Sequence, residues 1–380
     1  MAEAAIAGEN PLLSGLPDEI VIWEILLRLD PESLLRCRTV RRAWRRVTTA
    51  GNFLIAHHAC QPALPIARGK DNSKFRNYRS IITFDHQTTD AQLQHVTRLN
   101  DEFSRLEASC DGLLLLRSHD PTGTCFSICS PATRQCARLP MLSDFSVLGM
   151  YRHHPTGEYR ILCYHENEDL DGDDACYIVA LGSVQTPRNI VWQPEAQVVF
   201  YHGGEAVLLL SSLHWPLEQH EIGSNNIMVF DTTTESFRVM HAPVAPVIPF
   251  YNCLFEMDGM LGMYDYNDAA TIINIWVLPD YESEVWTLKC KIELPVTEIK
   301  ALCGKYERSS YAAFVSVNGE LLVLAKFAEW LLQVDMDGKL VATFHRKEVA
   351  PTEFKLKQTL IPHAFFPTQD GNVVNAPSLI

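Results

Sequence analysis

The apolar positions of this chain change period once. Between residues 16 and 60 they recur at helical spacing, and from about Arg79 they gather into short β-type runs separated by turn residues. Leu16-Pro17-Asp18-Glu19 reads as a helix start. Proline suits the first turn, where its missing N–H would be unpaired anyway, and two carboxylates meet the positive end of the helix dipole. Ile20, Trp23, Leu27 and Ile22, Ile25, Leu26, Leu29 follow at spacings of one, three and four, a stripe wider than a lone amphipathic helix needs. Asp30-Pro31 ends this helix and caps a second that carries Leu34, Leu35 and Cys37. A third sets Val40, Ala43, Trp44 and Val47 on one face, with Arg41, Arg42, Arg45 and Arg46 around it. Gly51-Asn52 marks a stop before a short helix through Phe53, Leu54 and Ile55. Three or four short helices in ~45 residues cannot bury so much apolar surface among themselves. The stripe therefore packs on the rest of the chain or docks on a partner, with its arginines meeting an acidic rim.

After Arg79 the candidate strands are short, from 81–84 and 113–117 through 197–201, 250–255 and 284–289 to 340–344. Asx-Gly pairs punctuate them: Asp111-Gly112, Asp171-Gly172, Asp258-Gly259, Asn318-Gly319, Asp337-Gly338 and Asp370-Gly371. Such pairs favour the positive φ of tight hairpins, which predicts antiparallel meanders. A loose repeat near 112–139, 205–240, 258–294 and 318–344 has the spacing of four-stranded propeller blades. The expected fold is α+β overall: a small N-terminal three-helix unit, then a mainly antiparallel all-β domain, propeller-like or else a β-sandwich. The expected boundaries are 11–60 for the helices, 61–78 for a linker, 79–365 for the β domain and 366–380 for a flexible tail.

Charge narrows the partners. The net charge is −14, whereas residues 1–60 balance seven Arg against seven acids, six of those Arg between Arg36 and Arg46. An acidic protein with one local basic face does not suit a general nucleic-acid binder. No apolar run reaches the ~18 residues of a membrane span, and the N-terminus lacks the basic start of a signal peptide. Eleven scattered cysteines then imply reduced thiols in cytosol or nucleus, with no need of disulfides. Among them Cys110, Cys125, Cys129 and Cys136 fit no C-x-x-C pattern and read as small buried strand residues. His57-His58-Ala59-Cys60 reads as an exposed helix end rather than a metal site, and the acid run from Glu166 to Asp174 has the wrong order for a calcium loop. Trp192, Trp215, Trp276, Trp286 and Trp330 read as blade core. No G-x-S-x-G, P-loop or G-x-G-x-x-G is present, so neither a cofactor nor catalysis is expected.

Leu16-Pro17-Asp18, Glu24-Ile25-Leu26, Leu29, Ser33-Leu34, Arg36, Val40, Arg42 and Trp44-Arg45 stand in the order of the F-box pattern, which this segment resembles. Arg41, Asp30 and Glu32 depart from the residues usual in plant relatives. The β region resembles the plant F-box-associated domain through Cys110-Asp111-Gly112-Leu113-Leu114, Ser130-Pro131-Ala132-Thr133-Arg134, His214-Trp215, Val229-Phe230-Asp231-Thr232 and Ile275-Trp276-Val277-Leu278. The resemblance implies a non-catalytic substrate-recognition subunit of a Skp-cullin-F-box ubiquitin ligase in cytoplasm or nucleus. Its adaptor-binding residues would be Leu16, Pro17, Ile20, Ile25, Leu26, Leu29, Leu34, Val40 and Trp44. A Skp-type adaptor would link it to a cullin scaffold, and its β domain would hold a target protein. A propeller-type enzyme, or an adaptor-bound protein with no ubiquitin role, are the alternatives.

Overall fold

The computed structural model describes residues 16–366, apart from 74–75, 86–91, 100–103, 122, 166–174, 184–185, 191–205, 217–225, 244–252, 268–270, 305–310 and 318–319. The chain divides into two compact units: 1–63 together with 357–363, and 64–356 together with 364–380.

The first unit is helical. Helix α1 (Asp18–Ile20) runs on as a π-helical stretch, Val21–Ile25, and a 3₁₀ turn, Leu26–Arg28. Helices α2 (Pro31–Val40), α3 (Arg42–Thr48) and α4 (Gly51–Cys60) follow. Asp30 caps α2 by accepting the Ser33 N–H at 2.9 Å. Partial burial works against its charge, yet the hydrogen bonds it accepts hold this carboxyl below the usual carboxylate range. The chain returns to this unit near its far end, where Lys357 donates to the Ala59 carbonyl at 3.2 Å.

The second unit is built from four-stranded antiparallel sheets. The first blade holds β1 (Leu64–Ser73), β2 (Arg76–Asp85) and β3 (Gln92–Leu99). The second holds β4 (Arg105–Cys110), β5 (Leu113–Asp120), β6 (Gly123–Ser130) and β7 (Gln135–Arg138). The third holds β8 (Ser146–Arg152), β9 (Tyr159–His165), β10 (Ala175–Ala180) and β11 (Arg188–Ile190). The fourth holds β12 (Val207–Leu209), β13 (Ser212–Pro216), β14 (Asn226–Asp231) and β15 (Ser236–His241). The fifth holds β16 (Cys253–Met257), β17 (Met260–Tyr266), β18 (Ile272–Leu278) and β19 (Thr287–Glu293). Helix α5 (Val296–Cys303) leads to the sixth, made of β20 (Tyr311–Val317), β21 (Glu320–Phe327), β22 (Trp330–Val334) and β23 (Leu340–His345). Strand β24 (Val349–Leu356) then pairs antiparallel with β1, so the first sheet reads β24-β1-β2-β3. The result is a six-bladed propeller closed by its last strand, not a sandwich.

Burial on both faces explains the strand sequences. Leu113 and Leu115 of β5 pack with Ile161 and Val179 of the third blade, while Leu114 and Leu116 pack with Ile66 and Ile81 of the first. A strand wedged between two neighbouring blades has no solvent face, so its apolar run is continuous rather than alternating. Two tryptophans stitch neighbouring blades: Trp215 Nε1 donates to the Leu148 carbonyl at 2.8 Å and Trp286 Nε1 to the His241 carbonyl at 2.9 Å. Trp192 lies outside the described residues.

Several sequence expectations are corrected here. The stretch 61–78 is not a linker, because Leu64–Ser73 forms a central strand with partners on both sides. The run expected over 284–289 begins three residues later, since Glu284 takes a positive φ of 54° in the preceding turn and Thr287 opens β19. Cys129 and Cys136 form a disulfide; they face each other across β6 and β7 with Cα atoms 4.2 Å apart, a pairing that the hairpin register sets. The strand expected over 197–201 and the acid run 166–174 lie outside the described residues, as do Asp171-Gly172, Asn318-Gly319 and Asp370-Gly371.

Candidate docking site

The helical unit completes a small core of its own. Val21, Ile22, Leu26, Leu34, Trp44, Phe53 and Leu54 are buried, and so are the polar Thr48 and His57. Thr48 donates to the Trp44 carbonyl at 2.8 Å. Arg38 reaches Thr48 twice, Nε to Oγ1 at 3.1 Å and Nη2 to the carbonyl at 2.6 Å. That guanidinium thereby satisfies the end of α3, where the last carbonyls lack intrahelical donors.

His57 is buried, not an exposed helix end. Its Nε2 stands 2.8 Å from the Leu29 carbonyl, and Gln61 donates to the same oxygen at 3.0 Å. Burial lowers the affinity of this imidazole for a proton, although the Leu29 carbonyl partly offsets it.

This core redistributes the nine residues expected to bind an adaptor. Leu26, Leu34 and Trp44 are only 2%, 0% and 5% exposed, so they hold the helices together and do not offer a surface. Leu29 is half-buried. Leu16, Pro17, Ile20, Ile25 and Val40 remain exposed, Val40 by 67%. Trp23 and Leu35 are exposed as well, which the sequence did not mark, because a stripe wide enough to wrap the helix does not say which edge faces inward. Leu16, Ile20 and Trp23 recur at i, i+4 and i+7, and the Trp23 ring rests 5.6 Å from that of Phe53.

The basic face is also smaller than its sequence. Arg36 pairs with Glu32 at 2.6 Å, Arg38 is spent on Thr48, and Arg41 lies 3.5 Å from Asp18 and over the Trp44 ring. Arg42, Arg45 and Arg46 are exposed with no ion pair among the described residues. What remains is a set of exposed apolar side chains and three guanidinium groups with no ion pair among the described residues.

The family model described as "F-box associated beta propeller domain" matches residues 69–361, and the model described as "F-box-like" matches residues 13–59. The chain belongs to the F-box-associated β-propeller family. Among curated relatives of this F-box protein, "F-box protein At5g49610" of Arabidopsis thaliana is 25% identical over 308 residues, covering 73% of this chain and 79% of the relative. "F-box protein At5g10340" of the same plant is 22% identical over 323 residues, covering 76% and 72%. Among solved structures, the β-propeller domain of Cps50 (Swd1) from Myceliophteria thermophila overlays with a TM-score of 0.38 at 13% identity, covering 74% of this chain and 86% of that one.

Proposed function

We propose that this F-box protein is the substrate-recognition subunit of a Skp-cullin-F-box ubiquitin ligase. The observation that carries the reading is the exposed set Leu16, Ile20, Trp23, Ile25, Leu35 and Val40 on a helical unit whose own core is already complete. Exposed apolar side chains gathered this way mark a docking surface. The F-box-like match over residues 13–59 makes a Skp-type adaptor the partner of choice. In this reading the propeller holds a target protein while the adaptor fixes the complex to a cullin, in cytoplasm or nucleus. The chain makes and breaks no bonds; it raises the effective concentration of target lysines near the conjugating enzyme. Arg42, Arg45 and Arg46, at the rim, act on association rate and salt sensitivity more than on final affinity.

Titration of the full chain with purified Skp adaptor tests the first step. Removing a central apolar anchor typically costs about 2–4 kcal/mol of binding, so Ile20→Asp or Ile25→Asp is expected to weaken binding by roughly 30-fold or more. Wild-type affinity in folded variants would place the docking surface elsewhere. Reconstitution with cullin, ring-type subunit and conjugating enzyme then separates a ligase subunit from an adaptor-bound protein without a ubiquitin role.

A further inference from the structure

The six innermost strands, β24, β4, β8, β12, β16 and β20, enclose an axial cavity of about 250 Å³. Part of its wall is aromatic. Phe314 stacks on Phe255 at 4.8 Å and lies 4.2 Å from Tyr264, centroid to centroid. This arrangement depends on Gly262: a Cβ there would stand 2.6 Å from Cζ of Phe255, so only glycine lets the ring lie over β17.

The charged side chains lining the cavity are Glu107, Glu256, Glu353 and Lys355. Lys355 donates to Glu256 Oε2 at 2.7 Å and to the Glu256 carbonyl at 3.0 Å. Burial alone would raise the Glu256 carboxyl, but the Lys355 ammonium holds it below the usual carboxylate range. That pair is self-contained, and Glu107 leaves the lining with an excess of negative charge.

Glu107 differs from Glu256. It occupies a bulge, where Leu106 pairs with Leu116 and Ala108 with Leu115, so Glu107 has no cross-strand neighbour. Bulges commonly re-aim one side chain away from the ladder. Neither oxygen of Glu107 accepts a hydrogen bond among the described residues; Oε1 is shut off from solvent, which leaves Oε2 as the accessible one. A carboxylate that no protein donor satisfies is open to an incoming one through its accessible oxygen, and a narrow cavity of one sign focuses its field on that counter-charge.

We propose that the axial cavity binds a cationic side chain, arginine or lysine, presented by the protein that the propeller recognises, with Glu107 as its ion partner. The assignment rests on the substrate-recognition reading for the source of that side chain, but not for the chemistry. The aliphatic stem of either residue suits the Met150, Leu254 and Phe354 wall, while its head meets the Glu107 carboxylate. Anionic ligands meet like charge instead, and that is how the site would discriminate.

The test titrates the full chain with acetyl-arginine methylamide and acetyl-lysine methylamide, read by saturation-transfer NMR. Acetyl-citrulline and acetyl-norleucine methylamides serve as neutral matches. One or both cationic probes are expected to bind, the difference between them naming the preferred head group, and both neutral ones to bind at least about tenfold more weakly. Glu107→Gln is expected to weaken cation binding by a similar factor, and Lys355→Gln to strengthen it by freeing Glu256. Glu107→Asp, which keeps the charge but shortens the arm, takes the place of Glu107→Gln should the latter melt early. Equal binding of charged and neutral probes, no binding of either cation, or an unchanged affinity in the folded Glu107 variant would overturn the assignment. Adaptor titration on the same samples separates the two readings. Adaptor binding without cation binding strikes only the cavity, and cation binding without adaptor binding strikes only the ligase reading.

Discussion

Arg160 on β9 donates from Nη1 to Oε1 of Glu235 at 2.6 Å, across the seam between the third and fourth blades. Glu235 sits at a positive φ of 55° in the turn between β14 and β15, and the same Oε1 accepts the Tyr151 hydroxyl at 2.8 Å. Arg188 reaches the other oxygen. A turn carboxylate therefore serves three donors from the next blade. Breaking a buried ion pair by removing one partner costs about 3–5 kcal/mol. Glu235→Ala should lower the free energy of unfolding by that order in a denaturant titration. Arg188 is more than half exposed, and an exposed pair is worth at most about 1 kcal/mol. Arg188→Ala should therefore change little, and equal losses from the two variants would contradict this ranking.

Burial separates folding from docking in the helical unit. Trp44→Ala removes a core side chain, and such truncations cost about 3–5 kcal/mol. It should melt the α-helical circular dichroism of residues 16–60 and lose adaptor binding only through unfolding. Ile20→Asp should keep the helical signal and lose binding directly. A folded Trp44→Ala protein would show that the core described above is not what holds the helices.

Acid should destabilise the propeller through His214. This imidazole lies between the Val207 carbonyl at 3.1 Å and the Tyr281 hydroxyl at 2.6 Å, and burial lowers its pKa to about 4. An unfolded histidine takes up its proton near 6.5, so the unfolded state binds the proton first as pH falls. The contribution is fully present above about 6.5 and is lost progressively down to about 4, on the order of 3 kcal/mol in all. His57, lowered in the same direction, adds to the loss in the helical unit. Stability measured from pH 7 to 4 should fall less steeply in a folded His214→Gln variant than in wild type.

The Cys129–Cys136 disulfide closes a loop of seven residues' separation. A crosslink that short restricts the unfolded chain by roughly 2–2.5 kcal/mol. Thiol titration of denatured, unreduced protein should find two fewer groups than the eleven cysteines of the chain. Reductant should lower the melting temperature by a few degrees and leave the adaptor titration untouched. Eleven titrating thiols would show the pair reduced.

Turn chemistry was the most legible part of the propeller. Asp111-Gly112 and Asp258-Gly259 both take positive φ at both positions, at 48° and 84° and at 52° and 75°. Such turns fix two-residue hairpins in the second and fifth blades, and the loose repeat of the sequence corresponds to the second, fourth, fifth and sixth blades. The hairpin between β12 and β13 makes the same turn from Leu210 and Ser211, at 47° and 57°. Nothing in that dipeptide announces it, although Leu209 and Leu213 on either side are both buried. The helical docking surface was half legible. Period located the apolar stripe, but burial of Trp44 and exposure of Trp23 depend on how four helices meet, which local spacing does not encode. Pairing of β24 with β1 was invisible for a related reason: its partners stand about three-quarters of the chain apart, and no local pattern links Leu64 to Leu356.

That pairing also sets an order of events during synthesis. Strand β1 leaves the ribosome early, yet its second neighbour is among the last segments made, and until then one of its edges is unpaired. The inner strand of the first blade, the wall of the axial cavity that carries Glu353 and Lys355, and the 357–363 strap on α4 all arrive together. A stop codon anywhere before Val349 therefore removes more than a strand: it leaves an open arc of blades with a sticky end.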